Sequence, residues 1–260
     1  MDLNLNNSTA LIVGGASGIG LASARAFRDE GCSVTIWDIS SETTQLAASE
    51  GCTGCTVDIC DIDAIGSAIS LMSDGIDHLV HAAAIGSGRF GFPFTNLDPA
   101  HWQRVLDVNI SGMVNVAHAV TPVMVGAGHG SMVFVASVAG QIGSPTDPPY
   151  SASKAANINF AQVMAKDLAT CGIRVNTVCP GMVKTPLNRS VWQSWNERQP
   201  AAEQLTYDQW AEQKISQLVP LGEWQQPEDI ADTIVFLSSE RARQITGQTI
   251  NVDGGYVMHW

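Results

Sequence analysis

The sequence predicts an α/β fold built on one doubly wound parallel sheet, and three observations lead there. Short runs of strand length alternate with longer stretches of helical periodicity along nearly the whole chain. The first run is apolar at successive positions, the pattern of a strand covered on both faces. A glycine turn closes the first run at the point where the first helix must begin.

Thr9-Ala10-Leu11-Ile12-Val13 is that first strand, ended by Gly14-Gly15. From Gly18 to Glu30, Ile19, Ala22, Ala26 and Phe27 recur at helical spacing, and Gly31 supplies the stop. Ser33 to Asp38 reads as the second strand. The alternation continues with a helix at 41–50, a strand at 53–57, a helix at 61–73 and a strand from Asp77 to His81. Pro99 to Val125 predicts one long helix, followed by a strand over Ser131 to Ala136. Tyr150 to Ala169 is the next helix and Ile173 to Val178 the next strand. Residues 182–219, rich in Gln, Trp and charge, break the rhythm and predict short helices forming a lid. A helix from Pro227 to Leu237 and a strand at 248–252 complete seven strands in a single unit spanning residues 1–260.

The 260 residues include 13 Lys or Arg against 25 Asp or Glu, a formal charge of −12 that would repel nucleic-acid phosphates. Hydrophobic residues make up 45% and mean hydropathy is +0.08, ample for a large core. The start, Met1-Asp2-Leu3-Asn4, lacks a leader pattern and no window reads as a membrane span, so a cytoplasmic protein is expected. Six cysteines are then expected to stay reduced. Cys52 and Cys55 have CxxC spacing, but no second pair completes a zinc site, and no metal is predicted.

Two constellations carry chemistry. Gly14-Gly15-Ala16-Ser17-Gly18-Ile19-Gly20 lies between strand and helix, where backbone N–H groups at a helix N-terminus receive a pyrophosphate. Asp38 follows at the end of the second strand, placed to accept hydrogen bonds from the adenosine ribose. Its charge repels a 2′-phosphate and no Arg or Lys accompanies it, which points to NAD over NADP. Further on, Tyr150 and Lys154 stand at i and i+4, neighbours on one helix face. An ammonium there favours phenolate, and together with the helix N-terminus and a nicotinamide cation it is expected to draw the tyrosine pKa from about 10 toward neutrality.

In order along the chain, the glycine turn, Asp38, Asn109, Ser137, Tyr150-x-x-x-Lys154 and Pro180-Gly181 resemble the short-chain dehydrogenases/reductases over essentially the full length. The resemblance implies a Rossmann-type sheet and a catalytic set of Asn109, Ser137, Tyr150 and Lys154. Tyr150 would be the general acid/base, Ser137 would bind the substrate oxygen, and Lys154 would hold the nicotinamide ribose. Asn109 would hold a water linking Lys154 to solvent. Gly14, Ser17, Gly18, Ile19 and Gly20 would line the pyrophosphate, Asp58 and Ile59 the adenine, and Val183 and Thr185, after Pro180-Gly181, the carboxamide. Two segments depart from the family pattern: Val13 stands where a Thr is usual, and His81-Ala82-Ala83-Ala84 where Asn-Asn-Ala-Gly is usual. His81 is expected to be a structural histidine with its hydrogen bonds satisfied.

These features imply an NAD-dependent oxidoreductase interconverting a secondary alcohol and a ketone, either a sugar or polyol or a cyclic or aromatic carbinol. A catalytically silent NAD-binding sensor is the alternative. Substrate contacts are expected from Val138–Tyr150, Met182–Leu218 and Arg89–Phe94, with Gln141, Ser144, Gln193 and Asn196 as neutral hydrogen-bonding groups. Trp192, Trp195 and Trp210 are expected chiefly to pack the lid. Apolar faces at Val105–Met124 and Ile158–Leu168 exceed what one sheet face needs, and the resemblance implies that these two helices pair across a two-fold axis, so a homotetramer is expected; the tail Tyr256–Trp260 suggests docking on a neighbouring subunit.

Overall fold

The computed structural model describes residues 3–144 and 146–258. Its strands are β1 Thr9–Val13, β2 Ser33–Asp38, β3 Thr53–Thr56, β4 His78–His81, β5 Gly130–Val135, β6 Ile173–Pro180 and β7 Thr249–Val252. They pair in parallel in the order β3-β2-β1-β4-β5-β6-β7. The α/β class and the doubly wound sheet are therefore as the alternating pattern predicts.

Alternate strand residues feed two cores, because successive side chains point to opposite faces. On one face Leu11, Val13 and Leu79 meet α3 (Ile62–Ser70), α5 (Met113–Ala127) and α6 (Pro148–Leu168). On the other, Ala10, Ile12 and Ile36 meet α1 (Gly18–Asp29), α2 (Thr43–Ser49) and α9 (Pro227–Ser238). Strand order reverses between β1 and β4, which opens a crevice at their C-terminal ends. Gly14 borders it with φ of +78°, and a Cβ there would collide with the Ala83 backbone. The two strand ends come this close because residue 14 has no side chain. Val13 and His81 are register partners on the adjacent strands, and Val13 is buried among apolar groups.

The span predicted as one helix is divided. Ala100–Leu106 (α4) passes through a π turn, Asp107–Gly112, into α5. Such a turn keeps the chain helical, so apolar periodicity does not expose it. Gly112 ends the turn where a Cβ would meet Ile59 Cγ1 at 2.7 Å. By length and composition alone, Ala100–Ala127 would also pass for a membrane span, which the sequence reading did not anticipate. Its inward residues Met113, Val116, Val120 and Met124 are fully buried in the sheet core, so it forms a layer of the α/β fold.

The lid segment carries α7 (Pro186–Asn196) and α8 (Tyr207–Leu218) around a core of its own. Tyr207 is central: its ring lies 4.9 Å from Trp224 edge-on and 5.6 Å from Trp192, with the Arg189 guanidinium 4.7 Å above it. All six cysteines are free, and among the described residues no cluster of His, Cys, Asp or Glu is arranged for a metal.

Candidate active site

A cleft of about 650 Å³ runs along the C-terminal ends of the strands. At its dinucleotide end stand Gly14, Ser17, Gly18, Ile19 and Gly20. Ser17 is the N-cap of α1, with extended backbone and no side-chain cap bond, so its side chain leaves the first helical N–H groups uncapped at the positive helix end beside the cleft. A Cβ at Gly18 would touch Thr185 Cγ2 at 3.3 Å, so the base of the lid closes against this turn. Asp38 accepts hydrogen bonds from the Ala16 N–H at 3.0 Å and the Ser40 N–H at 3.1 Å. Asp58, Ile59, Pro180, Gly181, Val183 and Thr185 line the same cleft. Helix-start N–H groups, a glycine-rich turn and a carboxylate at the end of the second strand fit a nicotinamide dinucleotide.

The catalytic wall is assembled by β5 and α6. Ser137 follows β5, and its Oγ accepts from the Ala139 N–H at 3.1 Å. Asp147 caps α6 and Pro148-Pro149 open it, which sets Tyr150 in the first turn and Lys154 one turn later. Ser137 and Tyr150 line the same stretch of the cleft, and the Ser137 side chain acts to lower the Tyr150 pKa. Lys154 is buried, donates from Nζ to the Val135 carbonyl at 2.6 Å, and lies 5.5 Å from the Tyr150 ring centroid.

Within the protein chain itself, the groups around Tyr150 act on balance in the opposite direction to the ammonium's pull. Burial pushes the Tyr150 phenol up, against the downward pull of the Ser137 side chain, and Asp147 and Cys179 add to the rise. Burial brings the Lys154 ammonium down to about 8. The physical reason is the same for both: desolvation penalises each charged form, and the ammonium bonds Val135 instead of the phenol oxygen.

Asn109 lies behind this wall and does not line the cleft. Its Oδ1 accepts from the Ile85 N–H at 2.8 Å, while Nδ2 donates to the Ile85 carbonyl at 2.9 Å and to Ser153 Oγ at 3.0 Å. The side chain is thus a brace between the π turn, the segment after β4 and α6. His81 also corrects an expectation. It is 1% exposed and stacks on Phe134 at 5.8 Å, but neither ring nitrogen has a hydrogen-bond partner. Burial holds its pKa down to about 3, so it is a neutral core histidine with unsatisfied polar atoms.

Other expected substrate contacts are redistributed. Gln141 Nε2 donates to Asn251 Oδ1 at 2.6 Å, and Asn196 Oδ1 accepts from the Leu205 N–H at 2.9 Å. Gln193 and residues 89–94 do not line the main cleft, whereas Ser144 does. Trp192 and Trp195 pack within the lid, and Trp210 both packs there and reaches the cleft. Tyr256 folds onto its own chain and lines its own cleft, held as the Val257 N–H donates to Asp253 at 2.7 Å; residues 259–260 of the suggested docking tail lie outside the described residues. Asp147 is the site residue sequence reasoning missed as such: it accepts from the Ser87 N–H at 2.7 Å, and the signal available was an Asp immediately before the Pro pair of a helix start.

A glycine-turn dinucleotide cleft and a Ser-Tyr-Lys wall on a doubly wound sheet define an oxidoreductase. Comparison with known proteins agrees. Residues 14–257 match a family model described as enoyl-(acyl carrier protein) reductase. The chain is 34% identical to the 3-oxoacyl-[acyl-carrier-protein] reductase FabG of Thermotoga maritima, covering 98% of this chain and 100% of that one. It is 35% identical to the galactitol 2-dehydrogenase of Agrobacterium fabrum, covering 97% and 98%. A solved structure described as a short chain dehydrogenase/reductase family protein superposes with a TM-score of 0.80 at 32% identity, covering 99% of this chain and 100% of its own. The chain belongs to the short-chain dehydrogenase/reductase family.

Proposed function

We propose that this protein interconverts a secondary alcohol and a ketone with NAD as its cofactor. What carries the reading is the joining of Ser137, Tyr150 and Lys154 on one wall of the cleft whose far end is the α1 N-terminus and Asp38. The bound nicotinamide would supply the hydride acceptor or donor. Ser137 would hold the substrate oxygen through its hydroxyl. Tyr150 would exchange the proton at that oxygen, and Lys154, one helical turn on, would hold the ribose beside it. Asp38 supports NAD: its carboxylate is fixed by two backbone N–H groups, so it would meet a 2′-phosphate as a fixed like charge. Arg104, a cation on the cleft wall near this end, is engaged with Cys60 Sγ at 3.8 Å beside Ile59. The names of the two relatives above are those of enzymes acting at a secondary carbinol or its ketone, which is consistent with this reaction.

The test is absorbance at 340 nm on purified protein with NAD or NADP and a panel of secondary alcohols, paired with calorimetry of cofactor binding. Turnover with NAD that is lost in Tyr150→Phe, with binding kept, is the expected result. Binding without turnover would favour the sensor alternative. We further propose a homotetramer, supported by the exposed outer residues Val114 and Val125 of α5 and Val163 of α6, which leave an apolar face for a second copy. Light scattering would give the assembly mass.

A further inference from the structure

The alcohol-ketone reading leaves the substrate class open between polyols and ring carbinols, and the cleft beyond Ser137 and Tyr150 separates them. Its wall there is largely apolar: Val138 and Ile142 from the loop after Ser137, Leu187 and Val191 from α7, Trp210 from α8, and Tyr256 from the tail, with Ser144, Thr146 and Lys214 as polar side chains on the same cleft. Several polar side chains nearby are already engaged. Gln141 pairs with Asn251, Asp147 accepts from the Ser87 N–H, and Asn188 Oδ1 accepts from the Tyr207 hydroxyl at 2.8 Å. An open-chain polyol buried here would leave hydroxyls without partners, and each such group costs binding energy.

The tail is built to take part in this wall. Asp253 accepts from the Gly255 N–H at 2.9 Å and the Val257 N–H at 2.7 Å, and Asn251 Nδ2 donates to the Val257 carbonyl at 3.0 Å. Tyr256 packs against the cluster of Ala136, Val138 and Cys179, two of which flank Ser137. The tail is also stitched to the lid, since the Leu221 N–H donates to the Gly254 carbonyl at 3.1 Å and a Cβ at Gly254 would meet Val219 at 2.5 Å. Val219 belongs to the aromatic core of the lid, so Tyr256 and Trp210 are parts of one continuous wall.

Resting on the oxidoreductase reading above, we propose that the substrate is an aryl or alicyclic secondary carbinol and its ketone, and that Tyr256 is a specificity-determining residue that packs on the ring. In reduction, the hydride would pass from the reduced cofactor to the carbonyl carbon and the neutral Tyr150 phenol would give its proton to the carbonyl oxygen, giving the carbinol and an oxidised cofactor, with solvent restoring the phenol proton. The energy of ring binding comes from apolar contact, which a wall of this composition supplies.

The test compares kcat/KM with NAD for 1-phenylethanol and indan-1-ol against galactitol and sorbitol, and, in reduction, the matching ketones against a 3-oxoacyl thioester. The ring substrates are expected to lead by about 100-fold, the discrimination that unpaired buried hydroxyls produce. Tyr256→Ala is expected to raise KM for ring carbinols by about 10-fold, the scale of one lost apolar side-chain contact, with a smaller change in kcat. Its cofactor affinity by calorimetry and its unfolding midpoint report that it has folded. Preference for a polyol or for the thioester, or an unchanged KM in folded Tyr256→Ala, overturns the proposal while the oxidoreductase reading stands. Cofactor binding with no turnover of any panel member overturns both.

Discussion

Asn109 donates to Ser153 Oγ at 3.0 Å, and this bond fastens the π turn to the helix that carries Tyr150 and Lys154. The same amide clamps both backbone groups of Ile85, so one buried side chain sets the spacing of three segments around the cleft. Asn109→Ala would leave these buried groups unpaired. Stability is expected to fall by about 1–3 kcal/mol, read from urea unfolding, and kcat to fall in the folded fraction while cofactor binding changes less.

Tyr150→Phe removes only the hydroxyl next to Ser137. A loss of about 10²- to 10⁴-fold in kcat is expected, the span attributed to a positioned general acid/base, with cofactor Kd little changed. An active Tyr150→Phe variant would mean that the proton is handled elsewhere.

Asp38→Ala should narrow the preference for NAD over NADP by about tenfold or more, since removing a fixed like charge of this kind is worth at least about 1.4 kcal/mol. The Kd ratio from calorimetry reads this directly. An unchanged ratio would place cofactor choice outside Asp38.

Acid should weaken the fold through two core histidines. Burial holds His78 down to about 4 and His81 down to about 3, so each stays neutral when folded but binds a proton when unfolded below about pH 6.5. The unfolded state then holds more protons, and stability falls as pH drops from 6.5 toward 4, by about 1.4 kcal/mol per unit for each histidine at most. His129, paired with Asp77 at 2.9 Å, acts in the opposite sense, but it is exposed and screened. His81→Leu should flatten this slope and, by removing two unsatisfied ring nitrogens, raise stability at neutral pH. Urea midpoints at pH 7.5, 6 and 5 would show it.

The strands and the cleft were legible because their signals are local. A doubly buried strand such as β1 gives an unbroken apolar run, and a glycine turn between strand and helix is written in consecutive residues. Tyr150 and Lys154 are one turn apart on one helix. What sequence could not supply depends on partners distant along the chain. The π turn at Asp107–Gly112 keeps the helical pattern, and its bulge is visible only through what Asn109 reaches. Gln141 reads as a free amide until Asn251 is found beside it. The Tyr150–Lys154 spacing is real, yet burial, a tertiary property, decides which way both groups titrate.

The amide pair between Gln141 and Asn251 joins residues 110 positions apart. Closing so long a loop is entropically slow, so the two ends of the cleft mature at different times during folding. The strand pairings of the β1–β4 crevice and the Ala16–Asp38 bond are made within the first half of the chain, although α1 also packs on α9. The chamber next to Ser137 waits for residues 251–257. In a refolding experiment, recovery of cofactor fluorescence should therefore run ahead of recovery of turnover.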